Sequence, residues 1–546
     1  MSSESSICGG DEIGVIIGES SYSYSTILLE RDSLGKVIVG SHVVSTLNGR
    51  CVLGIVESIR SGLPLLSDEV RDLDSVKRML ESDVASVVES TRYHVARVRW
   101  VSYLETLLER GEQSAPKIPP QPGSTVRLAR SEVLGRVFSP EGDGWLRIGS
   151  LLGSGVEYRI DVNKLTRHLA ILAVTGGGKS NTVCVITRRL VRQLGVTTVI
   201  FDRHGEYGTL GLGTGEARLL RPARVNPASL SYWELLYMAG FEPQATAQKR
   251  VLRWLWGELT RRYRQGKIGA ADLIPKAVEV LEKASRSSKS SKQDPDSLAR
   301  AFSEVLGDKP SNTPAVRQDQ ILGVLDKLND LQDLYGSALD PNIPIDLTRI
   351  IEPGKATIMD LSMMEDNVAD AVASHYLRRL LQARVSSRGE GLSGLEVYPV
   401  PVITIIEEAH VLIPRDEPTL TKRWAARIAR EGRKFGVGLV IVSQRPKKLD
   451  VDVLSQTNNK IILKMVEPQD ISYVRAASEE LSEDLAGLLP SLNTGEALIM
   501  GSMARMPAVV KIDKCEAPTG GRDINIVEET RRWLSREENS LEELAL

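Results

Sequence analysis

Two patterns of apolar residues divide the chain. Over residues ~10–60, short runs (IGVIIG, STILLE, VIVGSHVV, CVLGIVESI) alternate with Gly, Ser and Asp turn signals. That spacing predicts short strands in a small β-barrel or sandwich. A charged stretch, Asp68 to Val88, reads as helix, and strand-like sequence returns at RYHVARVRWVSYL. A Pro-rich connector, Pro116 to Ser124, precedes TVRLAR. From Arg167 the rhythm changes. Unbroken apolar runs (LAILAV, VTTVIFD, ATIMDLS, VITIIEE, GLVIVSQ, KIILKMV) now alternate with helical segments. Apolar on both faces and separated by helices, such strands predict a parallel sheet covered on both sides. In such sheets function collects at the carboxyl ends of the strands. Here those ends carry a phosphate-loop pattern, Asp202, Asp360, Glu407–Glu408 and Ser443–Gln444.

These patterns define an α/β chain with three parts: a β domain with a helical insertion over 1–150, a nucleotide-binding core over 151–515, and a helical tail over 516–546. Ser229 to Pro344 is a helical insertion in the core, and its polar centre, Ser285–Ser297, reads as a loop. In the tail, Val527, Trp533, Leu534, Leu541 and Leu544 fall on one helical stripe.

Composition narrows the class. The 546 residues exceed one compact core, and 42% hydrophobic with 26% charged residues is ordinary for a globular protein. No apolar run approaches the ~20 residues of a membrane span, and the N-terminus lacks a secretory pattern. A soluble cytoplasmic protein without membrane contact is expected. Four cysteines, Cys8, Cys51, Cys184 and Cys515, form no CxxC pair, so neither a zinc ribbon nor a disulfide framework is indicated. Cys184 reads as core. The balance of 69 basic and 71 acidic residues gives a formal charge of −2, which argues against a protein that coats DNA and leaves room for a channel lined locally by basic residues.

The chemistry starts at AVTGGGKS, residues 173–180. Gly178, Lys179 and Ser180 fit GxxxxGK[ST] between a strand and a helix, with Ala173 where the pattern has its first Gly. Gly176 and Gly177 leave a bare backbone that turns N–H groups toward phosphate. The helix start adds its positive dipole end, with Asn181 and Thr182 in its first turn. Lys179 would reach the β- and γ-phosphates of ATP, and Ser180 would ligate Mg²⁺. VITIIEEAH places Glu407 and Glu408 at a buried strand end, where paired carboxylates need a cation or water network. Glu407 is assigned to the Mg²⁺ shell and Glu408 to the attacking water as general base. His410 reads as a packing or hydrogen-bonding residue. Gln444 suits a sensor of the γ-phosphate. LTKRWAARIAREGRKFG reads as a helix with Leu420, Trp424 and Ile428 on one face and its arginines elsewhere. Arg433, with Arg430 second, is the candidate finger for a neighbour's nucleotide. Arg167, twelve residues before Lys179, is expected to contact nucleotide in its own subunit.

Taken in order, TGGGKSNT, FDRHGEYG, IIEEAHVLIP, AREGRKFG and VSQRP resemble the HerA family of the HerA–FtsK superfamily over roughly residues 10–515. The resemblance implies a RecA-like P-loop ATPase core, an N-terminal HAS-type barrel, and a homohexameric ring that moves along duplex DNA with ATP. It also implies work in double-strand break processing with the nuclease NurA, docked on the barrel. Under it, Lys179 and Ser180 are nucleotide and Mg²⁺ residues, Glu408 the catalytic acid, Gln444 the sensor, Arg433 the finger in trans and Arg167 an arginine acting in cis. Asp202, His204 and Glu206 match a site-shaping strand motif. Candidate DNA contacts are Arg415, Lys422, Arg423, Lys447 and Lys448, since sequence-tolerant grip on DNA uses Lys or Arg on phosphate. Three rivals are a protein-remodelling ring, a non-hydrolysing nucleotide binder and a conjugation or packaging pump. The few aromatics near the core loops, the trio Glu408, Gln444 and Arg433, and the N-terminal module argue against them in turn.

Overall fold

A computed structural model describes residues 7–63, 90–287, 295–389, 396–517 and 525–533, with positions 72, 74, 77 and 81 between. The expected helix at Asp68–Val88 lies almost wholly outside the described residues, as do Leu534, Leu541 and Leu544 of the tail stripe. Ile526, Val527 and Trp533, which are described, are exposed.

Six antiparallel strands close into a barrel: β1 (Glu12–Ile17), β2 (Tyr24–Leu29), β3 (His42–Leu47), β4 (Arg50–Gly62), β5 (Tyr93–Tyr103) and β6 (Thr125–Leu128). Their order is β1-β2-β5-β4-β3-β6. Closure removes the free edges that short strands would otherwise expose. Alternate residues such as Ile13, Ile27, Val43, Val52, Val98 and Trp100 fill the interior.

The remaining strands form one 11-stranded sheet. In chain order they are β7 (Trp145–Leu151), β8 (Glu157–Asp161), β9 (Leu169–Leu172), β10 (Thr197–Asp202), β11 (Ala217–Leu220) and β12 (Ala356–Asp360). β13 (Val402–Ile406), β14 (Val437–Ser443), β15 (Asn459–Leu463), β16 (Glu496–Met500) and β17 (Ala508–Ile512) complete the set. Spatial order is β11-β12-β10-β13-β14-β9-β15-β16-β17-β7-β8. All six apolar runs singled out in the sequence are strands of the parallel part, which spans β11 to β15 in that spatial order. Every residue of β9, β10, β12, β13, β14 and β15 is buried, which is why their sequences show no alternation. Beyond β15 the sheet turns antiparallel through β16, β17 and the β7–β8 hairpin. The expected boundary at residue 150 therefore falls inside a hairpin that extends the ATPase sheet.

Helices Tyr232–Met238, Thr246–Arg264, Leu273–Ser287, Pro295–Leu306 and Gln318–Tyr335 make up the insertion. The barrel docks on the core through Arg99, which donates to the Glu480 carbonyl at 3.3 Å, and through the buried Glu57, which accepts from Ser482 at 2.8 Å and pairs with Arg99 inside the barrel. Arg97 pairs with Asp484 at 2.8 Å.

The cysteines depart from expectation. Cys8–Cys51 and Cys184–Cys515 are disulfide-linked, with Cα atoms 5.4 and 5.9 Å apart. Partners 43 and 331 residues apart leave no local spacing signature. The second bridge fastens the chain after β17 to the helix that begins at Lys179.

Candidate active site

The phosphate loop leaves β9 at the carboxyl edge of the sheet and runs into the helix Lys179–Leu194. Gly176 and Gly178 hold φ of 73° and 106°, a region that penalises any residue with a Cβ. Gly177 is constrained differently. A Cβ there would meet the Ala173 methyl and the Val174 carbonyl oxygen at 3.0 Å. Ala173 in place of the pattern's first Gly is thus accommodated by the bare Gly177. Thr182 Oγ1 donates to the Gly178 carbonyl at 2.9 Å, bracing the first turn. Asn181 accepts from Cys515 N at 2.7 Å and donates to the Asp513 carbonyl at 2.9 Å. The segment 513–515 therefore walls the loop's helix, a contact that no motif in the sequence marks.

Three other strands of the parallel region end beside this loop. After β10, Asp202 accepts from Glu206 N at 3.1 Å and Tyr207 N at 3.0 Å, closing a turn that carries His204 and Glu206. Ser180 Oγ donates to Glu206 at 2.5 Å. After β13, Glu407 accepts from Arg203 N at 3.0 Å and His204 N at 3.2 Å through one oxygen. Glu408 comes next, buried, flanked by His204 Nε2 at 3.9 Å and His410 Nδ1 at 3.1 Å. After β14, the Gln444 carbonyl oxygen accepts from Thr175 Oγ1 of the phosphate loop at 2.5 Å. β12 ends at Asp360, which pairs with Arg221 and caps Ser362; it serves its own loop.

The electrostatics are those of a site short of positive charge. Burial, then Asp202, Glu206 and Glu408, pushes the Glu407 carboxyl up to about 8. Burial likewise raises Asp202. Burial would raise Glu408 too, but His410, Lys179 and His204 hold it below the usual carboxylate range. Burial pulls the Lys179 ammonium down, opposed by Glu408, Glu407 and Glu206. Glu206, Glu407 and Glu408 gather around one lysine, and His204, Glu407 and Glu408 bring ligand atoms within 4.8 Å of one another. Oxygen donors with surplus negative charge fit a hard divalent cation such as Mg²⁺.

The arginines lie elsewhere. Arg167 precedes β9, so the whole strand, roughly 13 Å at ~3.3 Å per residue, separates it from the phosphate loop. It lines a cavity of about 260 Å³ at the amino edge with Thr457, Asn458, Lys460 and Glu480, and its carbonyl accepts from Asn458 N. The expected role at the nucleotide of its own subunit would have to span that strand. Arg433 sits in the last turn of the helix Leu420–Phe435, whose C-cap Gly436 accepts from Val402 N, the first residue of β13. That end too is the amino edge, next to Arg167, and Arg433 and Arg430 are exposed. The helix buries Thr421, Ala425, Ile428, Ala429, Gly432 and Phe435. Leu420 and Trp424 are only half-buried, one position off the expected face.

Of the basic residues considered for DNA, Lys422 is taken up by its own loop. It donates to the Pro414 and Arg415 carbonyls at 2.9 and 2.8 Å and pairs with Asp450 at 3.1 Å. Lys447 donates to Gln469, and Arg415 lies over Tyr473. Arg423 and Lys448 are exposed. Among the described residues no helix is long and apolar enough to cross a membrane.

Residues 146–380 match the model for the central domain of helicase HerA, 13–110 the HAS barrel domain, and 396–540 the helicase HerA-like C-terminal domain. A DNA double-strand break repair helicase HerA of Sulfolobus acidocaldarius is 38% identical over 524 residues, covering 95% of this chain and 97% of the relative. Its counterpart of Pyrococcus furiosus is 32% identical over 572 residues, covering 97% and 98%. Among solved structures, the bacterial conjugative coupling protein TrwB aligns with 73% of this chain and 94% of its own at 13% identity and TM-score 0.47.

Proposed function

We infer the function from one premise: this chain belongs to the HerA helicase family and is an ATP-hydrolysing enzyme. We propose that it is a ring-forming translocase on duplex DNA, acting in double-strand break repair beside the nuclease NurA, with the barrel as docking face. The observation that carries the reading is the convergence of phosphate loop, paired acids and Gln444 at one sheet edge, because nucleotide binding alone needs neither a base nor a sensor. Lys179 holds the β- and γ-phosphates, and Gly176 through Thr182 cradle them. Ser180 and the free oxygen of Glu407 hold Mg²⁺, which shields phosphate charge when bound. Glu408 takes the proton of the attacking water, and Gln444 orients that water. Asp202, His204 and Glu206 shape the cation side.

From the amino edge, Arg433 and Arg167 lie a strand's length from the phosphate loop of their own subunit. In a head-to-tail ring, that edge meets the next subunit's carboxyl edge. Both arginines then act in trans, and the hexamer supplies every site with them. Arg415, Arg423, Lys447 and Lys448 remain as contacts to DNA phosphate.

ATP turnover with and without linear duplex DNA, at two salt concentrations, tests this reading. Stimulation by DNA that fades with salt and vanishes in Lys179→Ala is expected. Turnover indifferent to DNA, alone and with NurA present, would refute it.

A further inference from the structure

Glu408 occupies a left-handed backbone conformation, φ 46° and ψ 46°. A non-glycine residue there is strained and persists where its surroundings over-determine it. The turn opens the short helix Ala409–Leu412 and swings His410 back beside the carboxylate. His410 Nδ1 lies 3.1 Å from Glu408 Oε2 and 3.2 Å from Ser443 Oγ, at the last residue of β14. Ser443 Oγ also accepts from Arg445 N at 3.1 Å.

A ring nitrogen carries at most one hydrogen, so Nδ1 cannot donate to the carboxylate while accepting from the Ser443 hydroxyl. Two arrangements result. In one, Nδ1–H points at Glu408 and fixes it. In the other, the Ser443 hydroxyl donates to Nδ1, and Glu408 Oε2 is left 3.1 Å from the ring, buried and without a hydrogen-bond partner among the described residues. An orphaned buried carboxylate oxygen is costly, so the side chain then swings away. Ser443 is joined directly to Gln444, whose side chain bonds Thr175 of the phosphate loop. The imidazole therefore sits between the loop that feels the γ-phosphate and the acid that acts on water.

We propose that His410 is a positioning residue whose Nδ1–H holds Glu408 in its hydrolytic orientation, and that Ser443 competes for that nitrogen and releases the acid. The proposal rests on Glu408 being the general base.

Steady-state ATP turnover of the full chain, with and without duplex DNA, tests it together with the affinity for a fluorescent ADP analogue. His410→Ala is expected to lower kcat roughly 10- to 100-fold, the usual effect of losing a ligand-orienting partner, with KM and ADP affinity unchanged. His410→Asn, whose amide N–H stands where Nδ1–H stood, should recover most of that loss. Ser443→Ala removes the competing donor and should raise turnover without DNA, narrowing the stimulation by DNA. An alanine variant with normal kcat overturns the proposal, as does an asparagine variant no better than alanine. Equal loss of kcat and ADP affinity, with a lowered melting temperature, makes His410 structural and overturns it as well. Wild-type turnover that survives Glu408→Gln would instead remove the general-base assignment beneath it.

Discussion

The two edges of the central sheet differ in charge. At the carboxyl edge, β9, β10, β13 and β14 deliver the phosphate loop, Asp202, Glu407–Glu408 and Gln444 into one acidic pocket around Lys179. At the amino edge of the sheet stand Arg167, exposed Arg433 and, on β15, the buried Lys460. The carboxyl edge gathers the phosphate loop and the acids around Lys179. The amino edge has cations and no phosphate loop. Under the proposed head-to-tail ring, a chain built this way would complete its site against another copy of itself.

The sharpest way to break the comparison is to strip the amino edge. Arg433→Ala should cost roughly 10³–10⁵ in kcat, the range of an arginine finger, while ADP binding to the intact carboxyl edge persists. Loss of binding in a direct titration would put Arg433 in the nucleotide pocket of its own subunit. Next comes the acid. Glu408→Gln should retain ATP and lose about 10²–10⁴ in turnover, the share of a general base; single-turnover hydrolysis reads this. Arg167→Ala ranks third, with a smaller loss of kcat and unchanged affinity for ADP under conditions that keep the chain monomeric. A drop in monomer affinity would return Arg167 to its own site.

Two effects on stability are smaller. The Cys184–Cys515 bridge holds the wall beside Asn181, so Cys184→Ser should lower stability by about 2–4 kcal/mol and raise the KM for ATP. A thermal melt and a KM measurement check both, and an unchanged melt would free the wall from the bridge. Buried His42 and His168 are held near pKa 4 by desolvation, below the usual 6.5. Between those values the unfolded chain binds protons that the folded chain refuses, so stability falls as pH drops from 6.5 to 4. Melting temperature against pH should show this slope, and His42→Asn should flatten it.

The carboxyl edge is legible in the sequence for a physical reason. Strands buried on both faces are uninterrupted apolar runs, and the residues just after each run land at the same edge. Lys179, Glu408 and Gln444 are found that way. The amino edge is written only in the residues that precede a strand; LAILAV is read as a strand, yet the twelve-residue spacing from Arg167 to Lys179 says nothing of the strand's length that then separates the two side chains. The antiparallel extension β16–β17 escapes notice because EALIM and AVVKI are short runs with no helix between them to signal a layer. The disulfide partner of Cys184, the wall at 513–515 and the bridge from His410 to Ser443 join residues distant in the chain. Those pairings exist only once the sheet is assembled.

The most direct test is complementation between two disabled chains. Glu408→Gln keeps its amino edge, and Arg433→Ala keeps its carboxyl edge; each alone should hydrolyse almost no ATP. Co-expressed in one ring, an Arg433→Ala subunit receives an intact arginine from a Glu408→Gln neighbour, and turnover should reappear with DNA stimulation. A mixed ring as silent as its parents, with both chains shown to be present in it, would contradict a site shared across two edges.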